Sequence, residues 1–204
     1  MATVQWQYDQ HGNCQHATWS TLQQNKQDVN IFYLHPDAYK AAAYHYDKHK
    51  VKMILEAAQM LCTAHHHYGD GDNVPYKKAH YNHPSTIWAR TNCFNYMWLY
   101  DYMIALGDEY TKRYNKKHLS ITRCEKVLLT LPTNIPVEPF TQPPQCMPDE
   151  YKVEGNSVKA YWNYYINEKK KVINKNEKPY TKYPFNCDSD NISCYAFSDG
   201  CYTR

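Results

Sequence analysis

The chain has only six glycines in 204 residues, and none falls in a Walker-type loop or a dinucleotide fingerprint. Nucleoside-triphosphate and NAD chemistry are set aside on that ground, because both need backbone that approaches a pyrophosphate as closely as glycine allows. No apolar run reaches the roughly 18 residues of a membrane span, so no membrane partner is expected. The opening MATVQWQYDQHGNCQHATW lacks the apolar core of a signal peptide, and a cytoplasmic location is expected. CxxC is absent although there are eight cysteines, and without an export signal reduced thiols are expected. Cys187, Cys194 and Cys201 lie seven apart in the tail but have no His at ligand spacing. A dominant charge is missing too: a formal net charge of +3 permits nucleic-acid binding without arguing for it.

Tyrosine, by contrast, is abundant at 21. Such rings stack on bases, and an AT-rich coding sequence produces the same excess. Residues 1–28 show no apolar period and read as a poorly ordered extension. The burst VNIFYL, Val29 to Leu34, reads as a strand or a buried extended segment. From Asp37 the pattern turns helical, with Asp47 as the expected N-cap of a second helix that Gly69 stops. Pro84 opens a helix expected to run near thirty residues to about Tyr114, bent or divided at Gly107. Another starts at Ser120, uses Val127, Leu128 and Leu131 as apolar positions and ends at Pro132. A long Pro-rich stretch then excludes helix and central strand. A last helix runs from Ser157 to about Val172. The expected fold is mainly α: one compact helical domain over 29–178, a short extended N-terminal segment, a long Pro-rich loop and an irregular tail at 179–204.

On the second helix, His49, Lys52, Glu56, Gln59 and Thr63 fall on one stripe at 100° per residue, opposite Val51, Ile54, Leu55, Ala58, Leu61 and Cys62. His45 joins the stripe only if Asp47 does not cap. The stripe is either a solvated face or, because Met53 and Met60 border it, a site. Glu56 is its main catalytic candidate: Lys52 four residues before and Gln59 three after supply an ion pair and a hydrogen bond. A Glu so placed serves as a general base or stabilises a cationic transition state at a glycosidic carbon. Lys48 and Lys52 are candidate amines. His45 with His49, and His65 to His67, raise the question of a metal. No HExxH occurs and no acid is an evident third ligand, so neither a metal nor another cofactor is expected.

The stretch YNHPSTIWAR places Asn82 and His83 before a helix start, where backbone N–H groups favour phosphate, with Arg90 two turns on. His83 reads equally as a helix cap. Lys112, Arg113, Lys116 and Lys117, and later Lys169, Lys170, Lys171 and Lys175, are basic runs near aromatic residues.

The blocks NIFYLHPDAYKAAAYHYDKHKVKMILEAAQMLCTAHH, NHPSTIWAR, NYMWLY, EYTKRYNKKH and PPQCMPDEYK…AYWNYYI resemble a family of small phage-encoded helical proteins over roughly residues 29–170. More distantly, their order resembles pyrimidine-dimer DNA glycosylases of the endonuclease V type. That resemblance implies a compact, metal-independent helical enzyme that kinks damaged duplex DNA, extrudes a base and attacks the sugar C1′ with an N-terminal α-amine beside a helix-borne Glu. Glu56 matches that Glu. Members of the family begin just before the Asn-Ile-Phe-Tyr-Leu block, so Val29 stands where their chains start and residues 1–28 would precede the enzyme proper.

Three readings remain. The first is a DNA N-glycosylase with abasic-site lyase activity, in which Glu56, Lys52 and His49 are catalytic and Gln59, Asn82, His83 and Arg90 bind substrate. The second is a non-catalytic module that binds nucleic acid or a host protein. The third is a His-dependent metal enzyme.

Overall fold

A computed structural model describes residues 29–173 and 175–184. The extension at 1–28 and the tail cysteines Cys187, Cys194 and Cys201 lie outside them. Among the described residues there are six α-helices and no strand: α1 (Ala38–Ala43), α2 (Asp47–Tyr68), α3 (Pro84–Ala89), α4 (Cys93–Tyr114), α5 (Leu119–Cys124) and α6 (Ser157–Asn167). None is long and apolar enough to cross a membrane.

Short polar side chains start three of the six helices. Asp37 accepts from the Lys40 amide at α1, Asn92 from Asn95 at α4 and Asn156 from Lys159 at α6, each satisfying an amide that the helix itself leaves free. Two histidines do the same work through Nδ1: His83 accepts from Ser85 N at α3, and His118 from Ser120 N at α5. Gly69 ends α2 at φ 92°, a left-handed turn that only glycine adopts freely.

Several expected boundaries move. Asp47 does not cap α2; Tyr46 holds the cap position without a side-chain bond, and Asp47 is the first helical residue. Its amide is capped from a distant stretch by Glu177 Oε1 at 2.7 Å, and its carboxylate pairs with Arg113 at 2.8 Å. The long helix from Pro84 is divided at Arg90–Asn92 rather than at Gly107, because Asn92 takes an extended conformation to cap α4. Gly107 instead lets α5 approach: a Cβ there would stand 2.6 Å from Ile121 Cγ1. The helix from Ser120 starts at Leu119 and ends at Cys124, after which turns carry the buried Leu128 and leave Leu131 exposed. α6 tightens into a 3-10 turn at Lys169–Val172.

The long helices α2 and α4 pack on each other, α1 lies on α4, and α3 fits between α2 and α4. The 29–34 segment has no regular secondary structure, turns at Phe32, is fully buried and is threaded under α6. There Trp162 Nε1 donates to Leu34 O at 2.7 Å, and Phe32 meets the rings of Tyr161 and Tyr165 edge-on. Proline has no N–H, so the Pro-rich loop has few amides with which to tie itself together, Cys146 N to Pro144 O at 3.0 Å and Met147 N to Gln145 O at 3.1 Å among them. Side chains hold its carbonyls instead: Asn92 Nδ2 binds Pro139 O, Trp88 Nε1 binds Thr141 O, Ser157 Oγ binds Pro143 O and Tyr161 Oη binds Pro144 O. This stitching brings Cys146 O to within 2.8 Å of Asn30 Nδ2.

Candidate active site

α2 presents His49, Lys52 and Glu56 along one side, and that side is not a wet surface. His49 and Glu56 are buried, Gln59 is half-buried and Thr63 is fully buried, whereas Val51 and Leu55, two positions of the expected apolar face, are exposed. The helix is therefore enclosed on most of its circumference. Lys52, half-exposed, reaches back to Glu56 Oε1 at 3.0 Å.

The second oxygen of Glu56, Oε2, accepts the backbone N–H of Asn30 at 3.2 Å. Asn30 is held by its own side chain: Oδ1 accepts from Ile31 N and Phe32 N, while Nδ2 donates to Cys146 O. This local turn puts Phe32 in the left-handed region at φ 48°. A non-glycine residue there costs about 1–3 kcal/mol, which the surrounding packing has to offset. Burial pushes the Glu56 carboxyl above the usual carboxylate range, while Lys52, the Asn30 amide and the nearby His80 pull it back. The result is a carboxyl group that holds its proton more tightly than an exposed one, beside an amine and at a fixed backbone nitrogen.

His49 stacks on Phe32, with ring centroids 4.7 Å apart and planes 12° apart. Its Nδ1 faces Tyr165 Oη at 2.9 Å, and that hydroxyl already accepts the Tyr46 amide at 2.8 Å. With Tyr165 donating, the imidazole is neutral and carries its proton on Nε2. His45 lies outside α2 but joins the same cluster. Its Nδ1 donates to Ala41 O at 2.7 Å, and its Nε2 faces Tyr102 Oη at 2.7 Å. The Tyr102 hydroxyl proton thus lies between two acceptors, since Ile31 O is 2.5 Å from the same oxygen.

Burial holds His49 down to about 4, helped by Lys169 and Lys52, and holds His45 down to about 3, helped by His49. An unfolded chain protonates both rings near their ordinary value of 6.5, whereas the folded chain does not until far lower pH. The unfolded state then binds more protons through that interval, so stability falls as pH drops from about 6.5 towards about 4. Glu56 works in the opposite sense, because its folded carboxyl keeps a proton that the unfolded one has released. Urea midpoints measured between pH 7 and 4.5 are expected to fall with acid, and His49→Gln is expected to remove about one proton from the slope. An unchanged slope in that variant would show that His49 is not held neutral.

The other sequence candidates are placed differently. Asn82 is exposed, and His83 is half-buried and caps α3. Arg90 is buried, donates from Nη1 to Tyr81 O at 2.7 Å and lies 4.1 Å from the Tyr81 ring centroid. The basic run after Tyr110 is largely paired: Lys112 with Glu109, Arg113 with Asp47 and Lys117 with Glu125. His66 Nε2 meets Tyr76 O, His67 Nδ1 meets Tyr81 Oη and His65 Nε2 meets Tyr96 Oη. Among the described residues no three His, Cys, Asp or Glu side chains converge as a metal site. Asn30, Phe32 and Tyr165 are the site residues that sequence reasoning passed over. For Asn30 a signal existed: a polar residue inside an apolar burst has to find partners once buried.

Residues 29–122, just under half of the chain, match the family model described as pyrimidine dimer DNA glycosylase. No curated protein and no solved structure matches the chain.

Proposed function

We propose, taking that family match as the premise, that the chain is a DNA N-glycosylase acting on pyrimidine dimers, with Glu56 as its catalytic carboxylate and an accompanying abasic-site lyase step. The observation that carries the reading is the contact between Glu56 Oε2 and the Asn30 nitrogen at 3.2 Å, at a carboxyl group that burial pushes above its ordinary range.

In the full-length chain that nitrogen is a peptide amide and no nucleophile. A chain whose first residue is Asn30 has an α-amine at the same point. Its lone pair then attacks C1′ of the extruded nucleotide, and the C1′–N bond breaks with its electrons leaving on the base. Glu56 takes the amine proton and faces the cationic sugar carbon as charge develops. Glu56 returns that proton to the ring oxygen as the sugar opens to an iminium, the departed base takes its proton from water, and the iminium either hydrolyses or eliminates the 3′ phosphate. Lys52, 3.0 Å from the other Glu56 oxygen, is the alternative amine. Gln59, half-buried one turn on, and His83 at the start of α3 are the proposed substrate contacts, with DNA as the partner. Asn82 is proposed as a further contact on exposure alone, and Arg90 by orienting Tyr81.

Two proteins test this: the full-length chain, and one released from a cleavable tag so that Asn30 is its first residue. Each is incubated with a duplex containing one thymine dimer in the presence of borohydride. The shorter chain is expected to break the C1′–N bond at one nucleotide of the dimer, the base staying joined to its neighbour through the cyclobutane ring, and to trap a covalent adduct on the Asn30 α-amine. An adduct on Lys52 in both proteins moves the nucleophile to that residue. Neither cleavage nor adduct in either protein would overturn the reading.

A further inference from the structure

The 3-10 turn after α6 brings a cation to the same cluster from outside the matched residues 29–122. Lys169 Nζ lies 4.4 Å from the Tyr164 ring centroid and 5.6 Å from that of Phe32. Phe32 in turn stacks on His49, two helical turns before Glu56, or about 10 Å along the α2 axis. Lys52 sits between His49 and Glu56 on that face. Lys169 is half-buried and makes no ion pair among the described residues, whereas Lys171 beside it pairs with Glu168 at 2.8 Å.

Contact with an aromatic face holds an ammonium in place without neutralising it. A carboxylate partner would fix Lys169 equally well but would cancel the charge that an incoming anion needs. Tyr164 is itself braced by Tyr151, with ring centroids 5.3 Å apart, and the Tyr151 hydroxyl donates to Glu168 at 3.0 Å. The ammonium is thus positioned, without an ion pair among the described residues, at the rim of a cluster of aromatic rings whose Phe32–His49 stack lies on the same face of α2 as Glu56.

We propose that Lys169 is a phosphate-contacting residue that grips the nucleic-acid backbone next to the nucleotide whose sugar meets Glu56. The inference rests on the glycosylase reading for the location of that sugar. The phosphate contact itself is measurable without turnover.

The test is equilibrium binding of the full-length chain carrying Glu56→Gln to a short duplex with one thymine dimer and to its undamaged counterpart, followed by fluorescence anisotropy over a range of potassium chloride. Adding Lys169→Gln is expected to reduce the slope of log affinity against log salt by about 0.9, and to weaken both duplexes equally, because one released counterion is independent of sequence. Lys169→Arg is expected to restore the slope, and Lys171→Gln to leave it unaltered. An unchanged slope with Lys169→Gln, or an equal loss with Lys171→Gln, overturns the proposal. A reduced slope, where the chain that begins at Asn30 and keeps Glu56 neither breaks the C1′–N bond nor traps an adduct, leaves the phosphate contact standing and removes the glycosylase reading. Bond cleavage by that chain with an unchanged slope for Lys169→Gln does the reverse, and the absence of any salt-dependent binding removes both.

Discussion

Glu56→Gln, introduced into the chain that begins at Asn30, is expected to lower single-turnover cleavage of the C1′–N bond by about a thousandfold, within the 10²–10⁴ range of a positioned proton-transfer group. The substitution isolates the chemistry well. Gln keeps an oxygen to accept the Asn30 N–H at the 3.2 Å position, so the local turn survives. Lys52 is half-exposed and can turn to water when its partner loses charge, so little stability is lost with the ion pair. What Gln cannot do is accept the proton of an attacking amine or hold a negative charge against a developing cation. Quench-flow on a dimer-containing duplex, paired with anisotropy on the same variant, separates the two effects. A fall in rate of less than about tenfold with binding intact would place the carboxylate outside the reaction.

Trp162→Ala is expected to have the largest effect on stability. The indole is fully buried, touches the rings of Tyr44, Tyr165 and Tyr180, and donates from Nε1 to Leu34 O. Removing a buried Trp side chain costs about 3–5 kcal/mol through lost transfer energy and the cavity left behind. Part of that cost is the stranded Leu34 carbonyl, worth about 1–3 kcal/mol. Trp162→Phe keeps most of the ring and loses only the donor, so its expected cost is about 1–2 kcal/mol. Urea denaturation of the three proteins checks the order. Equal midpoints for Trp162→Ala and the parent would mean that α6 does not close the core over the 29–34 segment.

Helix positions were legible where a short polar cap or a proline marks an end: Asp37, Gly69, Pro84 and Ser157 each fall within a residue or two of a boundary. Boundaries set by tertiary partners were not. Nothing near Asp47 in the sequence indicates that its amide is capped by Glu177, or that its carboxylate is engaged by Arg113. The division of the long helix at Arg90–Asn92 has a local cause, an Asn able to cap, but the continuous apolar pattern on both sides masks it.

The site was half legible. A 100° projection finds His49, Lys52 and Glu56 on one face, because that depends only on helical geometry. It gives the wrong solvent side at Val51 and Leu55, because which sides of α2 are enclosed depends on the later helices α3, α4 and α5 and on Tyr165 of α6 against His49. The hydrogen bond from Asn30 to Glu56 spans 26 residues and crosses from an irregular segment to a helix, a pairing with no periodic signature.

The Asn30 side chain is anchored on Cys146 O, a partner 116 residues later. During synthesis at about 5–20 residues per second, that carbonyl is made on the order of ten seconds after the asparagine it will hold. Until then the turn that aims the Asn30 nitrogen at Glu56 lacks its far support, even with α2 already complete. A nascent chain therefore carries its carboxylate long before it carries a site, and the last third of the polypeptide decides when the first part becomes competent.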